Sequence, residues 1–312
     1  MILPFLFFVT GVLILFKGAD LLVDGAEQLA LRLGVPSALI GLTVVAFGTS
    51  LPELVVSTGA FFSGSYGIGL GNIIGSNIAN IGLILALCFL LMPFSPDREE
   101  VTGSNYSRTR LVRDAVLTLI ATMVFTVASL RGMLDIFSAI VFLLVFFVIL
   151  RLYRQAGQSA REDPGSPPSG SNLLIPAGLA GVIIGAYLLL AGAEQIALFF
   201  SVSPYVIGLS LVAVGTSLPE LVTSLVAALK RKYDISVGNI LGSNVFNILL
   251  IPAVSALFLE IPVADHCSTL IMVIFTFGIF PLFLKSRIMV KGWSLLLLGA
   301  WGVYLAIIYR IV

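Results

Sequence analysis

The sequence predicts an all-α membrane protein with ten transmembrane helices in two inverted-topology five-helix repeats. Three observations carry that prediction. Apolar residues make up 59% of the 312 and charged residues only 11%, and the apolar runs repeatedly reach the roughly 17 to 25 residues that a spanning helix needs. Residues 41 to 57, GLTVVAFGTSLPELVVS, and 208 to 224, GLSLVAVGTSLPELVTS, agree at thirteen of seventeen positions at a constant offset of 167, which marks an internal repeat. The basic residues, finally, gather on alternate connections between the apolar runs.

Taken in order, the spans fall near 3 to 31, 36 to 62, 68 to 92, 112 to 130, 133 to 152, 173 to 199, 204 to 229, 235 to 258, 267 to 284 and 291 to 310. The opening MILPFLFFVTGVLILF has no basic leader and no small-residue cleavage site before its pattern resumes at Leu21, so it reads as the first span rather than a signal peptide. Five spans form an N-terminal half, 1–153, and five a C-terminal half, 173–312. The stretch between them, 154–172, is rich in Gly, Pro and Ser and reads as a flexible linker.

Alternating the connections puts fourteen of the seventeen Lys and Arg on one side. They are Arg32, Arg98, Arg108, Arg110, Arg113, Arg151, Arg154, Arg161, Lys230, Arg231, Lys232, Lys285, Arg287 and Lys291. Excess positive charge marks the cytoplasmic side. The linker is therefore expected in the cytoplasm and both termini outside a plasma (prokaryotic inner) membrane. With an odd number of spans per half, the second copy of the repeat enters the bilayer from the opposite side, and inverted repeats support alternating access to a site near the midplane. The net charge of +1 points to no nucleic-acid partner. Cys88 and Cys267 have no CxxC spacing and suggest neither a disulfide framework nor a zinc site.

Both copies set a carboxylate, Glu53 or Glu220, in a run otherwise apolar enough to lie in lipid, where charge is costly and usually functional. Pro52 and Pro219 lack an N–H and crowd the carbonyls of Gly48 and Gly215, so each helix is expected to break there and free carbonyls for a cation or water. Thr49 and Glu53, like Thr216 and Glu220, are four apart and would share a helix face. Ser50 and Glu53 also have capping-box spacing, so a single copy could be only a helix start; two copies at one offset argue against that reading. A second element repeats at the same offset, GNIIGSNIANI at 71 to 81 and GNILGSNVFNI at 238 to 248. There Ser76 and Asn80, and Ser243 and Asn247, offer neutral oxygens at i, i+4.

This inventory is entirely oxygen. Ca2+ takes about six to eight oxygen ligands, Mg2+ demands a stricter octahedron, and zinc or copper sites would show His or Cys. The one histidine, His266, is expected in an external loop. Two glutamates neutralise one Ca2+. GAEQLA at 25 to 30 and GAEQIA at 192 to 197 extend the repeat, with Glu27 and Glu194 read as helix-end charges and Asp20 and Asp24 as an entrance for cations.

At GTSLPE and GNxxGSNxxN the chain resembles the sodium/calcium exchangers of the cation/calcium antiporter superfamily, in their compact prokaryotic form. The resemblance implies ten helices, with Glu53 and Glu220 as the central carboxylate ligands. It adds Thr49, Ser50, Ser76, Asn80, Thr216, Ser217, Ser243 and Asn247 to the cation sites, and the carbonyls near Ala46 and Ala213 to flanking Na+ sites. It also implies a first and a sixth helix that slide past the rest. Asn247 stands where some prokaryotic members carry Asp, leaving two core carboxylates rather than three.

The expected function is Na+/Ca2+ antiport, with Ca2+ and Na+ as substrates, the bilayer as surroundings, no cofactor and no obligate protein partner. Ca2+/H+ exchange on the same fold is the alternative, because a carboxylate in the membrane can carry a proton. A passive channel fits an inverted repeat less well. An intramembrane metalloenzyme lacks the histidines and the water-activating motif it would need.

Overall fold

The computed structural model describes residues 2–92, 108–158, 173–200, 215–283 and 286–311. The chain opens with α1, Ile2–Leu33. A bent pair follows, α2 at Ser37–Thr49 and α3 at Leu51–Phe62, which meet at 46°. Next come α4, Tyr66–Leu91, α5, Arg108–Ser129, and α6, Ile136–Gln158. The second half holds α7, Leu174–Phe199, α8, Leu218–Leu229, α9, Tyr233–Ala256, α10, His266–Phe277, and α11, Arg287–Ile311.

Among the described residues eight helices are long and apolar enough to cross a membrane, or nine if the bent pair is one span. Large apolar side chains such as Phe16, Leu144, Phe147, Ile274 and Leu296 point outward, while Glu53, Glu220 and a set of Ser, Thr and Asn are buried. Polar groups lie inside an apolar exterior, as lipid surroundings require.

α4 and α9 form the interior. Residues 235–249 of α9 are buried on every side, Asn239, Ser243, Asn244 and Asn247 included. Both helices change pitch midway: Asn80–Leu85 and Phe246–Leu250 are π-helical, as is Gly41–Val45 in α2. Such wide turns are concentrated at functional positions, and nothing in the sequence pattern had pointed to them.

α1 and α7 lie side by side, antiparallel, along a seam of glycines spaced by seven: Gly11, Gly18 and Gly25 on α1, and Gly178, Gly185 and Gly192 on α7. A Cβ at Gly18 would stand 2.5 Å from the Val182 nitrogen, and one at Gly185 2.3 Å from the Leu15 nitrogen. The two backbones touch, which only glycine permits.

Several sequence expectations need correction. The fold is not purely helical: Met133–Leu134 pairs antiparallel with Ile261–Pro262, because the connections before α6 and α10 run alongside each other. α6 continues to Gln158, so the first residues assigned to the linker are helical; 159–172 lie outside the described residues. His266 is not in a loop but opens α10, just after Asp265, which caps that helix by accepting from the Ser268 amide at 3.0 Å. Asp20 and Asp24 do not form an open cation entrance. Lys230 bonds both, at 2.6 Å to Asp24, and Lys17 also pairs with Asp20. Glu27 in turn pairs with Lys232. These pairs tie α1 to the connection between α8 and α9.

Candidate cation site

The site starts from the two breaks. Ser50, between α2 and α3, has φ −84° and ψ 5°; Ser217, before α8, has φ −87° and ψ 4°. Each is followed by Leu-Pro-Glu, so Glu53 and Glu220 lie in the first turn of α3 and α8, where a helix N-terminus favours negative charge. Neither serine caps its helix with its side chain. The Ser50 hydroxyl donates to Glu220 Oε1 at 2.9 Å, and the Ser217 hydroxyl to Glu53 Oε1 at 3.2 Å. The capping-box reading therefore fails: the hydroxyl that would close it crosses to the glutamate of the other half.

The threonines cross as well, while Ser76 and Ser243 serve the glutamate of their own half. Thr49 and Thr216, expected on the same face as their own glutamates, turn the other way because the break at the next residue rotates each glutamate out of register. Thr49 lies beside Glu220 and donates to Asn239 Oδ1 at 3.0 Å; Thr216 lies beside Glu53 and donates to Asn72 Oδ1 at 3.0 Å. Ser76 reaches Glu53 Oε1 at 3.4 Å and Ser243 reaches Glu220 Oε1 at 3.5 Å. Each of these contacts in one half recurs in the other at the 167-residue offset.

The backbone is less open than expected, since the Gly48 carbonyl, which Pro52 cannot bond, accepts a capping backbone N–H instead. The Ala46 carbonyl accepts the Ser50 amide at 3.0 Å, and the hydroxyl oxygens of Thr49 and Ser243 lie 3.3 Å and 3.5 Å from it. Gly48 makes room for the Leu179 side chain of α7. Ala213 lies outside the described residues.

The amides break the symmetry. Asn80 donates to Asn244 Oδ1 at 2.9 Å, but Asn247, its counterpart, makes no hydrogen bond with either amide atom among the described residues. Two carboxylate oxygens, Glu53 Oε2 and Glu220 Oε2, and two amide oxygens, Asn80 Oδ1 and Asn247 Oδ1, are buried without a partner among the described residues. Neither glutamate is in an ion pair there, although both are fully buried. A buried carboxylate costs several kcal/mol unless charge or hydrogen bonds compensate it; a bound cation does so, and the donor set of carboxylate, amide, hydroxyl and carbonyl oxygens suits a hard one.

Sequence reasoning missed Asn72, Asn239, Ser57 and Ser224. Asn72 donates to Ser57 Oγ at 2.9 Å and Asn239 to Ser224 Oγ at 3.0 Å. The signal was present, since all four repeat at the common offset, but a polar residue among glycines reads as helix packing.

A helical bundle with an apolar exterior and two buried carboxylates among neutral oxygens defines an integral multi-pass membrane protein of the transporter class. The sequence profile described as "Sodium/calcium exchanger protein" matches residues 3–153 and 171–310, and the chain belongs to that family. It is 36% identical over 272 residues to an uncharacterised membrane protein of Methanocaldococcus jannaschii, covering 86% of each chain. It is 30% identical over 340 residues to the sodium/calcium exchanger MaX1 of Methanosarcina acetivorans, covering 93% of each. The fold matches a solved structure of the sodium-calcium exchanger NCX_Mj, soaked with Na+ and Sr2+, with a TM-score of 0.84 and 33% identity over 98% of both chains. Exchangers are transporters, not enzymes.

Proposed function

We propose that the protein is a secondary antiporter that exchanges Na+ for Ca2+ across the plasma membrane, the prokaryotic inner membrane, by alternating access. The observation that carries this reading is the pair of fully buried glutamates, each with one carboxylate oxygen that no described residue bonds. As substrate, Ca2+ takes the charges of Glu53 and Glu220 with the amide oxygens of Asn80 and Asn247. Na+ takes the hydroxyls of Ser50, Ser76, Ser217 and Ser243, and at the flanks Thr49 with the Ala46 carbonyl and Thr216 with that of Ala213. The ions are cargo, and no cofactor is required.

The architecture that goes with this function has ten helices in two inverted halves, 1–153 and 173–312, joined by a cytoplasmic connection whose first residues extend α6, with both termini outside. Support for the tenth span comes from α8, which follows an apolar stretch, and for the inversion from contacts that recur across the halves at one offset. The orientation is supported by the distribution of Lys and Arg.

The test is 45Ca2+ uptake into proteoliposomes driven by an outward Na+ gradient at fixed pH. Uptake that requires the Na+ gradient supports the reading. Uptake under a proton gradient alone replaces Na+ with H+, and uptake that scales with voltage without any counter-ion gradient makes the protein a channel.

A further inference from the structure

We propose that Asn72 and Asn239 are positioning residues that set the polarity of the Thr216 and Thr49 hydroxyls and thereby the affinity for Na+. The inference rests on the exchange reading of the site. A hydroxyl has one proton and two lone pairs. A threonine that gives its proton to a fixed acceptor has only lone pairs left to offer a cation, whereas one free to rotate must be reoriented each time an ion arrives.

Asn239 and Asn72 supply that fixed acceptor. The Thr216 hydroxyl donates to Asn72 Oδ1 at 3.0 Å, and the Thr49 hydroxyl to Asn239 Oδ1 at 3.0 Å, a shorter contact than the 3.3 Å to the Ala46 carbonyl that competes for the same proton. Each amide is held from behind: Asn239 Nδ2 donates to Ser224 Oγ at 3.0 Å, and Asn72 Nδ2 to Ser57 Oγ at 2.9 Å. Ser224 is tied further, its carbonyl accepting the Ser236 hydroxyl at 2.9 Å. Two chains of the form serine, asparagine, threonine therefore end on the two threonines. A duplicated chain with matching geometry in both halves argues against incidental packing, which would not select the same donor and acceptor twice.

Neutral oxygens decide monovalent binding more than divalent binding here, because the two glutamates already match the charge of Ca2+. Loss of the acceptor therefore weakens Na+ binding more than Ca2+ binding.

The experiment measures equilibrium binding of 22Na+ and 45Ca2+ to purified protein in detergent, for wild type, Asn72→Leu, Thr216→Val and the double variant. Asn72→Leu is expected to raise half-saturating Na+ about threefold to tenfold, the scale of one hydrogen bond, and to move Ca2+ less than twofold. The double variant should bind Na+ no worse than Thr216→Val alone, since the asparagine acts through the threonine. Asn72→Asp, which keeps an acceptor, should not lose Na+ affinity. Wild-type Na+ affinity in Asn72→Leu, or single effects that multiply in the double variant, would overturn the proposal. If Asn72→Leu does not fold, Asn72→Ser, too short to reach Thr216, carries the same expectation. A wild type that binds Na+ but exchanges nothing in proteoliposomes sinks the exchange reading and leaves this cycle decisive; one that binds neither ion overturns both.

Discussion

Glu53→Gln and Glu220→Gln keep an oxygen for the serines that reach each glutamate, Ser76 and Ser217 for the first, Ser50 and Ser243 for the second. What they remove is charge. Each is expected to abolish Ca2+ transport, by more than about a hundredfold, while the purified protein melts no lower than wild type without ions, because a costly buried carboxylate has gone. Added Ca2+ should raise the melting temperature of wild type and not of either variant; ion-dependent stabilisation in a variant would remove that glutamate from the site. Asn247 is the other informative residue, buried with neither amide atom bonded among the described residues. Asn247→Asp adds a third carboxylate that a proton can neutralise, so Ca2+ transport should become weaker toward acid pH than in wild type. Identical pH profiles for the two proteins would count against this.

Among the elements, the pair α1 and α7 is the most sensitive to volume. Gly18→Ala or Gly185→Ala drives a methyl group into backbone atoms of the facing helix, an overpacking that costs about 1 to 3 kcal/mol. Either should lower the melting temperature in detergent. Gly59→Ala, on α3 with nothing within 4 Å of the new methyl group, should not. The breaks before α3 and α8 behave differently from the seam. They were legible in advance, because proline and a carboxylate in an apolar run leave few structural options. Their orientation was not legible, since the partner of each hydroxyl lies on a helix more than a hundred residues away: Thr216 meets Asn72 across 144 positions and Ser50 meets Glu220 across 170. The π-turns at Asn80–Leu85 and Phe246–Leu250 were equally hidden, because they follow from how α4 and α9 pack rather than from any residue type.

For the whole molecule, the apolar runs and the 167-residue offset carried most of the architecture, because lipid allows few ways to bury backbone polar groups. They carried less of what breaks the internal symmetry. Lys230 and Lys232, which hold Asp20, Asp24 and Glu27 of α1, have Ser63 and Ser65 at the offset positions of the first half. A perfectly duplicated exchanger would open to either side with equal free energy. In this chain Lys230 and Lys232 have serines as their offset counterparts; partly exposed pairs contribute roughly 0.2 to 1 kcal/mol each, so on the proposed alternating access, pairs made in one opening and not the other would bias the equilibrium constant between the two by about tenfold. Lys232→Ala combined with Lys230→Ala should shift that constant toward unity, which distance measurements between fluorophores on α1 and α9 would detect; an unchanged distribution would show that the pairs do not hold the equilibrium. Because salt screens such pairs, the proposed exchange would inherit from two lysines a preference for one opening that fades as the ionic strength around them rises.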